Sequence, residues 1–196
     1  MSQAPLYGLI LIGGKSKRMG TDKAWLSYHG RPQVLHLYQL LTTLCDAVFL
    51  SFREGQRDDD PRLQGLPYIH DEMLDAGPIA GILAAQSKYP EAAWLVLACD
   101  LPCLTKEALI QLMESRDTNK FATCFTNVED ESFPEPLCAI YEPKSQYPLR
   151  EQFARHCLSP SKFLRTHPIK LVEQIFPGML KNINHLDEFV ALSQQD

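Results

Sequence analysis

The feature that most constrains the fold is a short apolar run over residues 7–12, which leads directly into a glycine-rich and basic segment over residues 13–23. Such a run is typical of a buried parallel strand, because helices cover both faces of a parallel sheet. A loop that leaves the carboxyl end of this strand turns backbone N–H groups toward the crevice where open α/β sheets bind ligands. The sequence therefore predicts an α/β protein with a ligand site beside its first strand.

The glycine-rich segment has the composition of a phosphate-binding loop. Its glycines let the backbone approach an anion closely. Four cations stand in it against one acid: Lys15, Lys17, Arg18 and Lys23 against Asp22. The spacing of its glycines fits neither the Walker pattern nor the dinucleotide fingerprint. The segment predicts a triphosphate-binding loop, and a solvated strand-to-helix connection is the alternative.

Strands and helices alternate along the first two-thirds of the chain. Apolar patterns predict strands over 47–51, 67–71, 91–99, 121–126, 136–141 and 169–175. Helical spacing and start signals predict helices over 33–44, from 77 onward, over 105–115, over 142–155 with a break near Pro148, over 159–166 and over 185–192. Short extended pieces are expected over 24–28 and 181–184. With right-handed crossovers, this order gives a single domain, residues 1–196, that contains a doubly wound, mainly parallel sheet with helices on both faces.

Polar residues follow the predicted strand ends, where ligands of such sheets bind. Ser51 and Asp71 end the second and third strands, and Asp100 follows the most continuous apolar run. Magnesium prefers hard oxygen ligands and takes one or two carboxylates together with phosphates and water. Asp100 is therefore the predicted metal ligand, and capping of the turn that follows it is the alternative.

The composition excludes several classes of partner. A formal net charge of -5 argues against nucleic acid or an anionic membrane as a general partner. No stretch approaches the roughly 20 apolar residues of a membrane span, and the start of the chain lacks the pattern of a signal peptide. The six cysteines are scattered, with no C-x-x-C pair. We therefore expect a cytoplasmic protein with reduced thiols.

The string L-I-G-G-K-S-K-R-M-G-T-D-K, residues 11–23, resembles the signature L-A-G-G-x-S-x-R-M-G-x-D-K of the molybdenum cofactor guanylyltransferases, the MobA-like nucleotidyltransferases. Three further segments agree in order and approximate distance: Asp71 with G-P-I-A-G at 77–81, C-D-L-P at 99–102 and N-I-N at 182–184. The chain departs from the family at Ile12, where Ala is more frequent, and at Ser51, where Asn is frequent.

The resemblance implies a Rossmann-like nucleotidyltransferase that transfers GMP from GTP to molybdopterin or the molybdenum cofactor, with Mg²⁺ as cofactor. It implies catalytic roles for Arg18, Lys23 and Asp100, with Mg²⁺ bound by Asp100. The nucleotide contacts that it implies are Leu11, Ile12, Gly13, Gly14, Lys23, Ser51, Asp71, Gly77, Gly81 and Asp100. The acceptor contacts that it implies are Asn182, Asn184 and Lys162, with Arg165 beside Lys162. Molybdoenzymes or other cofactor-biosynthesis proteins are the further partners.

Simpler roles stand beside several of these assignments. Asp71 could end its strand in a solvated turn, and Gly77 could belong to a plain helix start. The two asparagines could form turns, and Lys162 with Arg165 could form a solvated helix face. Cys99 and Cys103 flank Asp100, but we interpret them as structural thiols because no further soft ligands accompany them.

Nucleotidyl transfer to a phosphate explains why the sequence lacks a Ser/His or Cys/His constellation. A phosphate nucleophile is already ionised at neutral pH, so the protein has to neutralise charge and align the reactants rather than supply a base. Two alternatives remain open. One is a related nucleotidyltransferase that uses CTP or a sugar phosphate acceptor. The other is a non-catalytic accessory protein that delivers the cofactor.

Overall fold

The computed structural model of the chain describes residues 3–12, 23–53, 61–71, 76–126, 133–176 and 178–181. The strands are β1 (Leu6–Leu11), β2 (Ala47–Arg53), β3 (Tyr68–Asp71), β4 (Ala93–Ala98), β5 (Ala122–Thr126), β6 (Pro134–Tyr141) and β7 (Ile169–Val172). The α-helices are α1 (Gln33–Thr42), α2 (Pro78–Lys88), α3 (Lys106–Glu114), α4 (Gln146–Ala154) and α5 (Pro160–Thr166). Short 3-10 helices span Lys23–Trp25, Pro61–Leu63 and Pro143–Ser145. Among these described helices, none has the length and apolarity needed to cross a bilayer.

The seven described strands form one sheet in the order β3-β2-β1-β4-β6-β5-β7. Every described pairing is parallel except those of β6, which runs antiparallel to both β4 and β5. The order steps outward from β1 to β3 and then returns across β1 to β4, which is the arrangement of a doubly wound sheet. The predicted fold class is confirmed, and the reversed strand β6 is the feature that alternation alone did not specify.

The core has one layer on each face of the sheet. Along β4, Leu95 and Leu97 join the cluster formed with α1 and α3, whereas Trp94 and Val96 join the cluster formed with α2, α4 and α5. All six residues of β4 are buried. The continuous apolar run over residues 91–99 therefore reflects a central strand that is covered on both faces.

Two local predictions are wrong. Residues 24–28 were expected to be extended, but Lys23–Trp25 is a 3-10 helix and only Ser27 forms a bridge, to Pro32. The chain must reverse here before α1, and the bond from the Gln33 backbone N–H to the Leu26 carbonyl, 2.9 Å, closes that reversal. Pro148 does not interrupt α4, because it lies in the first turn, where the missing N–H would have no intrahelical partner.

The last predicted strand is shorter than expected and ends at Val172. Just beyond it, the Gln174 side chain donates a hydrogen bond to the Thr126 carbonyl, 2.6 Å. This side-chain bond takes the place of a backbone bond between β7 and β5. The extended piece over 181–184, apart from Lys181, and the helix over 185–192 lie outside the described residues.

Candidate functional site

The carboxyl ends of β1, β2, β3 and β4 lie side by side. They form one edge of the sheet, the edge that runs across the strands. Leu11, the last residue of β1, is in register with Ser51 on β2 and with Ala98 on β4. The Ile12 backbone N–H donates to the Ser51 carbonyl, 3.1 Å, so pairing continues one residue beyond β1. The edge strand β3 ends at Asp71, which is only 7% exposed. Ser51 does not end its strand as predicted, because β2 continues to Arg53, which is in register with Asp71. The residues at this edge are Leu11, Ile12, Ser51, Asp71 and the turn that contains Asp100.

The start of α2 lies at the same edge, because α2 follows β3. Gly77 is its N-cap residue, with φ 68° and ψ -155°, a backbone region that is essentially restricted to glycine. Pro78 occupies the first turn, where its missing N–H is no loss. The first N–H groups of a helix have no intrahelical partner, so this helix start can present donors to an anion or a base edge.

Gly81 allows α2 to approach the sheet closely. A Cβ atom added there would lie 2.5 Å from Ser51 Oγ and 2.8 Å from Leu11 Cδ2. Ser51 is 3% exposed, so its hydroxyl lies beneath α2. Three residues that the sequence suggested as separate nucleotide contacts are thus in direct contact with one another, and Gly81 fixes the distance of the helix from the strand ends.

Asp100 lies half-buried in the turn that leaves β4, and Leu101 and Pro102 behind it are buried. Side chains from the segment that begins at Lys23 bind this turn. Gln33 Nε2 donates to the Leu101 carbonyl, 3.3 Å, and His29 Nε2 donates to the Pro102 carbonyl, 2.9 Å. Both donors belong to the stretch that begins at Lys23, so the polypeptide that follows the glycine-rich segment is attached to the turn of Asp100.

Glu135 is a second carboxylate near Asp100, and the sequence analysis missed it. Because β6 is antiparallel to β4 and pairs Leu97 with Cys138, Glu135 near the start of β6 and the turn of Asp100 lie beyond the same end of this ladder. Burial raises the pKa of Glu135, a hydrogen bond from the Leu137 N–H lowers it, and the Asp100 carboxylate raises it. The acid within P-E-P-L-C was the available signal, but its position depends on the direction of β6.

The described donor set suits a hard cation bound with few protein ligands. Within the described ranges, no three His, Cys, Asp or Glu side chains form a cluster that could hold a metal. Magnesium needs only one or two carboxylates when substrate phosphates and water complete its shell, so Asp100 fits that ion. The thiols Cys124 and Cys138 are structural, since burial raises the pKa of Cys124 to about 12 and raises the pKa of Cys138 well above its ordinary value.

The basic residues of α5 lie on the β6 side of the site. Lys162 is exposed. The Arg165 guanidinium carbon lies 4.3 Å from the ring centre of Phe133, a cation–π contact. Phe133 directly precedes β6 and therefore lies near the edge that Glu135 and Asp100 share. The contact with Phe133 places Arg165 toward this edge, whereas no comparable side-chain contact is present for Lys162 among the described residues.

Several predicted site residues lie outside the described residues: Gly13, Gly14, Arg18, Asn182 and Asn184. Lys23 begins a 3-10 helix, but its side chain is outside the described part as well. Their roles stay predictions.

Comparison with known proteins gives a consistent family. The family model described as "MobA-like NTP transferase domain" matches residues 8–171. The chain is 38% identical over 191 residues to the "Molybdenum cofactor biosynthesis bifunctional protein" of Synechocystis, covering 96% of this chain and 54% of that protein. The chain thus spans about half the length of that relative. A "Probable molybdenum cofactor guanylyltransferase" of Flavobacterium johnsoniae is 30% identical over 192 residues, with 96% of both chains covered. A "Molybdenum cofactor guanylyltransferase" of Pseudomonas fluorescens is 30% identical over 187 residues, covering 93% of this chain and 91% of that protein.

Solved structures agree on the fold. The molybdopterin-guanine dinucleotide biosynthesis protein A of Archaeoglobus fulgidus has a TM-score of 0.77 at 20% identity, covering 97% of this chain and 100% of that one. The 4-diphosphocytidyl-2C-methyl-D-erythritol synthase of Anaerococcus prevotii has a TM-score of 0.71 at 11% identity, covering 97% and 98%. Together with the extent of the family match, these likenesses show that the chain belongs to the MobA-like NTP transferase domain family.

Proposed function

We propose that this protein transfers GMP from GTP to molybdopterin or the molybdenum cofactor, releasing pyrophosphate and forming the guanine dinucleotide. The observation that carries the proposal is the meeting of four strand ends, the start of α2 and the Asp100 turn at one edge of the sheet. The names of the relatives with full-length coverage support the same chemistry. Support for a cytoplasmic location comes from the cysteines, none of which forms a disulfide among the described residues.

The edge supplies what nucleotidyl transfer requires of a protein. The glycine-rich segment with Arg18 and Lys23 holds the triphosphate and balances the charge of the departing pyrophosphate. Asp71 and the start of α2 contact the nucleoside. Gly81 sets the distance between α2 and the strand ends beside that contact. The acceptor phosphate is ionised at neutral pH, so alignment and charge neutralisation replace a general base.

Asp100 is the residue that would hold Mg²⁺, with Glu135 as a further carboxylate beside it. When bound, the ion neutralises phosphate charge at the reacting centre. Acceptor contacts come from Lys162, Asn182 and Asn184, and Arg165, which contacts Phe133 just before β6, lies beside Lys162 on α5.

The direct test is the reaction itself. The purified chain, GTP, Mg²⁺ and molybdopterin should release pyrophosphate and yield a guanine dinucleotide that is detected by mass. Omitting the acceptor should stop pyrophosphate release. Release without dinucleotide formation would contradict the assigned acceptor, and binding of GTP without any release would favour the accessory protein.

A cytidylyl transfer is the second candidate. The observation that favours it is the fold that the chain shares with the Anaerococcus prevotii synthase. Competition among GTP, CTP, ATP and UTP in the same assay separates the two: guanylyl transfer requires GTP to be preferred, whereas preferential use of CTP would assign the chain to the alternative.

A further inference from the structure

We propose that Gln33 and His29 are positioning residues that fix the orientation of the Asp100 turn by binding its two consecutive carbonyl groups. The inference rests on the proposed function, because it assigns a purpose to holding the Asp100 carboxylate still.

Gln33 is completely buried and is the first residue of α1. Its amide nitrogen must face the Leu101 carbonyl, since a carbonyl oxygen only accepts hydrogen bonds. The same oxygen also accepts a bond from the Leu104 N–H, 3.3 Å, so both of its lone pairs are used. The Leu101 carbonyl is thereby locked between α1 and its own turn.

The other end of the Gln33 amide argues against a role in stability alone. Its Oε1 atom is buried and finds no hydrogen-bond partner among the described residues. A buried polar atom without a partner is unfavourable, and an apolar side chain of similar size would avoid that penalty. The hydrogen bond from Nε2 to the Leu101 carbonyl therefore explains why a glutamine occupies this position.

His29 binds the next carbonyl, that of Pro102, from the turn before α1. Its ring stacks on His36 of α1, with centroids 4.0 Å apart and planes at 20°. The stacking fixes the plane of the ring, so the Nε2–H direction is set by α1. Gln33 on α1 and His29, which stacks against α1, thus bind the two consecutive peptide carbonyl groups that follow Asp100.

Residues that orient a metal ligand typically change metal affinity or activity by about 10–100-fold when they are replaced. We therefore expect Gln33→Leu to raise the Mg²⁺ concentration needed for half-maximal GTP binding and turnover by about tenfold. The melting temperature should not fall in parallel, because the substitution also removes the unpartnered oxygen.

The chain offers a matched control in Gln86. This glutamine is 1% exposed, its Nε2 donates to Ser145 Oγ at 2.7 Å, and its Oε1 also lacks a partner among the described residues. It lies on α2 and contacts the 3-10 helix after β6 rather than the Asp100 turn. Gln86→Leu should therefore leave the Mg²⁺ dependence unchanged, whatever it does to stability.

His29→Phe tests the hydrogen bond to the Pro102 carbonyl. Because His29 is exposed, we expect this variant to fold. The phenyl ring can keep the stacking on His36 but cannot donate to the Pro102 carbonyl. We expect a shift in Mg²⁺ dependence in the same direction as that of Gln33→Leu. Calorimetry of GTP binding at several Mg²⁺ concentrations gives this shift without requiring turnover.

The outcomes separate the two proposals. If the wild type binds GTP with Mg²⁺ but forms no dinucleotide, the proposed function fails, and the positioning role is still judged by the binding shift. If both variants keep the Mg²⁺ dependence of the wild type within twofold, or if Gln86→Leu shifts it equally, the positioning role is overturned. Absence of any Mg²⁺-dependent GTP binding overturns both.

Discussion

Asp100 and Glu135 approach one another from two strands that run in opposite directions. Two carboxylates at short range repel each other unless one is protonated or a cation lies between them. The polypeptide that follows the four cationic residues of the glycine-rich segment contacts the Asp100 turn at the same edge, through His29. At the scale of single residues, the described part of the site therefore has negative charge at the Asp100 turn, and the sequence predicts positive charge in the segment that precedes Lys23.

Lys23→Ala tests the cationic half of this arrangement. Loss of a donor that stabilises developing charge should lower turnover by about two to three orders of magnitude. Steady-state rates of pyrophosphate release measure the effect, and Lys88→Ala, on the exposed end of α2, is the control. Turnover equal to that of the wild type would remove Lys23 from the reaction.

His36→Phe tests an acid-sensitive contribution to stability. Burial lowers the pKa of His36 to about 4, and the nearby positive charges of His29 and Arg31 lower it too. A pKa that falls on folding means that the stability from neutral His36 is present above the ordinary pKa near 6.5 and is lost as the pH falls toward 4.

The Phe variant can keep the ring stacking but cannot take up a proton. Its melting temperature should therefore fall less than that of the wild type between about pH 7 and about pH 4.5. His70→Phe, on the exposed side of the edge strand β3, is the matched control. An identical acid-induced decrease in the wild type and His36→Phe would contradict the assignment.

Whether the position of a single residue could be predicted from the sequence depended on what determines that position. Asp71 and Asp100 follow strands that the apolar pattern identifies, so sequence order alone brought them to one edge. Glu135 could not be placed that way, since its nearness to Asp100 arises from the reversed pairing of β6. Gln33 looked like an ordinary polar residue at a helix start, and only the packing of α1 shows that it is buried.

At the scale of elements, a buried ion pair connects three separate parts of the chain. Arg116, just after α3, donates to both oxygens of Glu142 at the end of β6, at 2.6 and 3.0 Å. Its third donor binds the Ala4 carbonyl ahead of β1, 3.2 Å. The side chains are only 5% and 3% exposed. The pair therefore links the end of α3 to the start of β1 and the end of β6, at the end of the sheet opposite the site.

Arg116→Met should destabilise the fold by about 3–5 kcal/mol, because it leaves the Glu142 carboxylate buried without its partner. Adding Glu142→Leu should recover part of that loss, since the double variant buries no charge. Urea denaturation measures both changes, with Arg155→Met on an exposed helix end as control. A double variant whose free energy of unfolding is no higher than that of Arg116→Met alone would contradict this account.

The elements themselves could largely be predicted, and the exceptions share a cause. Apolar runs identified β1, β2 and β4, and helical apolar spacing identified α1, because a sheet that is covered on both faces requires such burial. The start signal at Thr105 identified α3. The segment after Lys23 alternates like a strand over only a few residues, and its conformation is decided by the reversal into α1. Pro148 was interpreted as a helix breaker because its distance from the helix start could not be known from the sequence.

At the scale of the whole molecule, substrate binding should stabilise the fold as a unit. A ligand present at 100 times its dissociation constant adds about 2.7 kcal/mol, and 1 kcal/mol corresponds to about 2–4 °C for a chain of this length. We therefore expect GTP with Mg²⁺ to raise the melting temperature by roughly 5–10 °C.

Chelation of the metal should remove most of this increase, and Asp100→Asn should make GTP stabilisation nearly independent of Mg²⁺. Differential scanning fluorimetry with and without EDTA gives the comparison. A thermal shift of equal size with and without the metal, in wild type and variant alike, would show that Asp100 does not bind the ion.

The position of β1 between β2 and β4 has a consequence for biosynthesis. Although β1 is synthesised before both of its neighbours, the second of them, β4, is complete only at Ala98. At the usual pace of about 5–20 residues per second, the nascent chain carries this apolar segment with one side unpaired for roughly 5–20 seconds. Among the described strands, the one that precedes the glycine-rich segment thus waits longest for its second pairing partner.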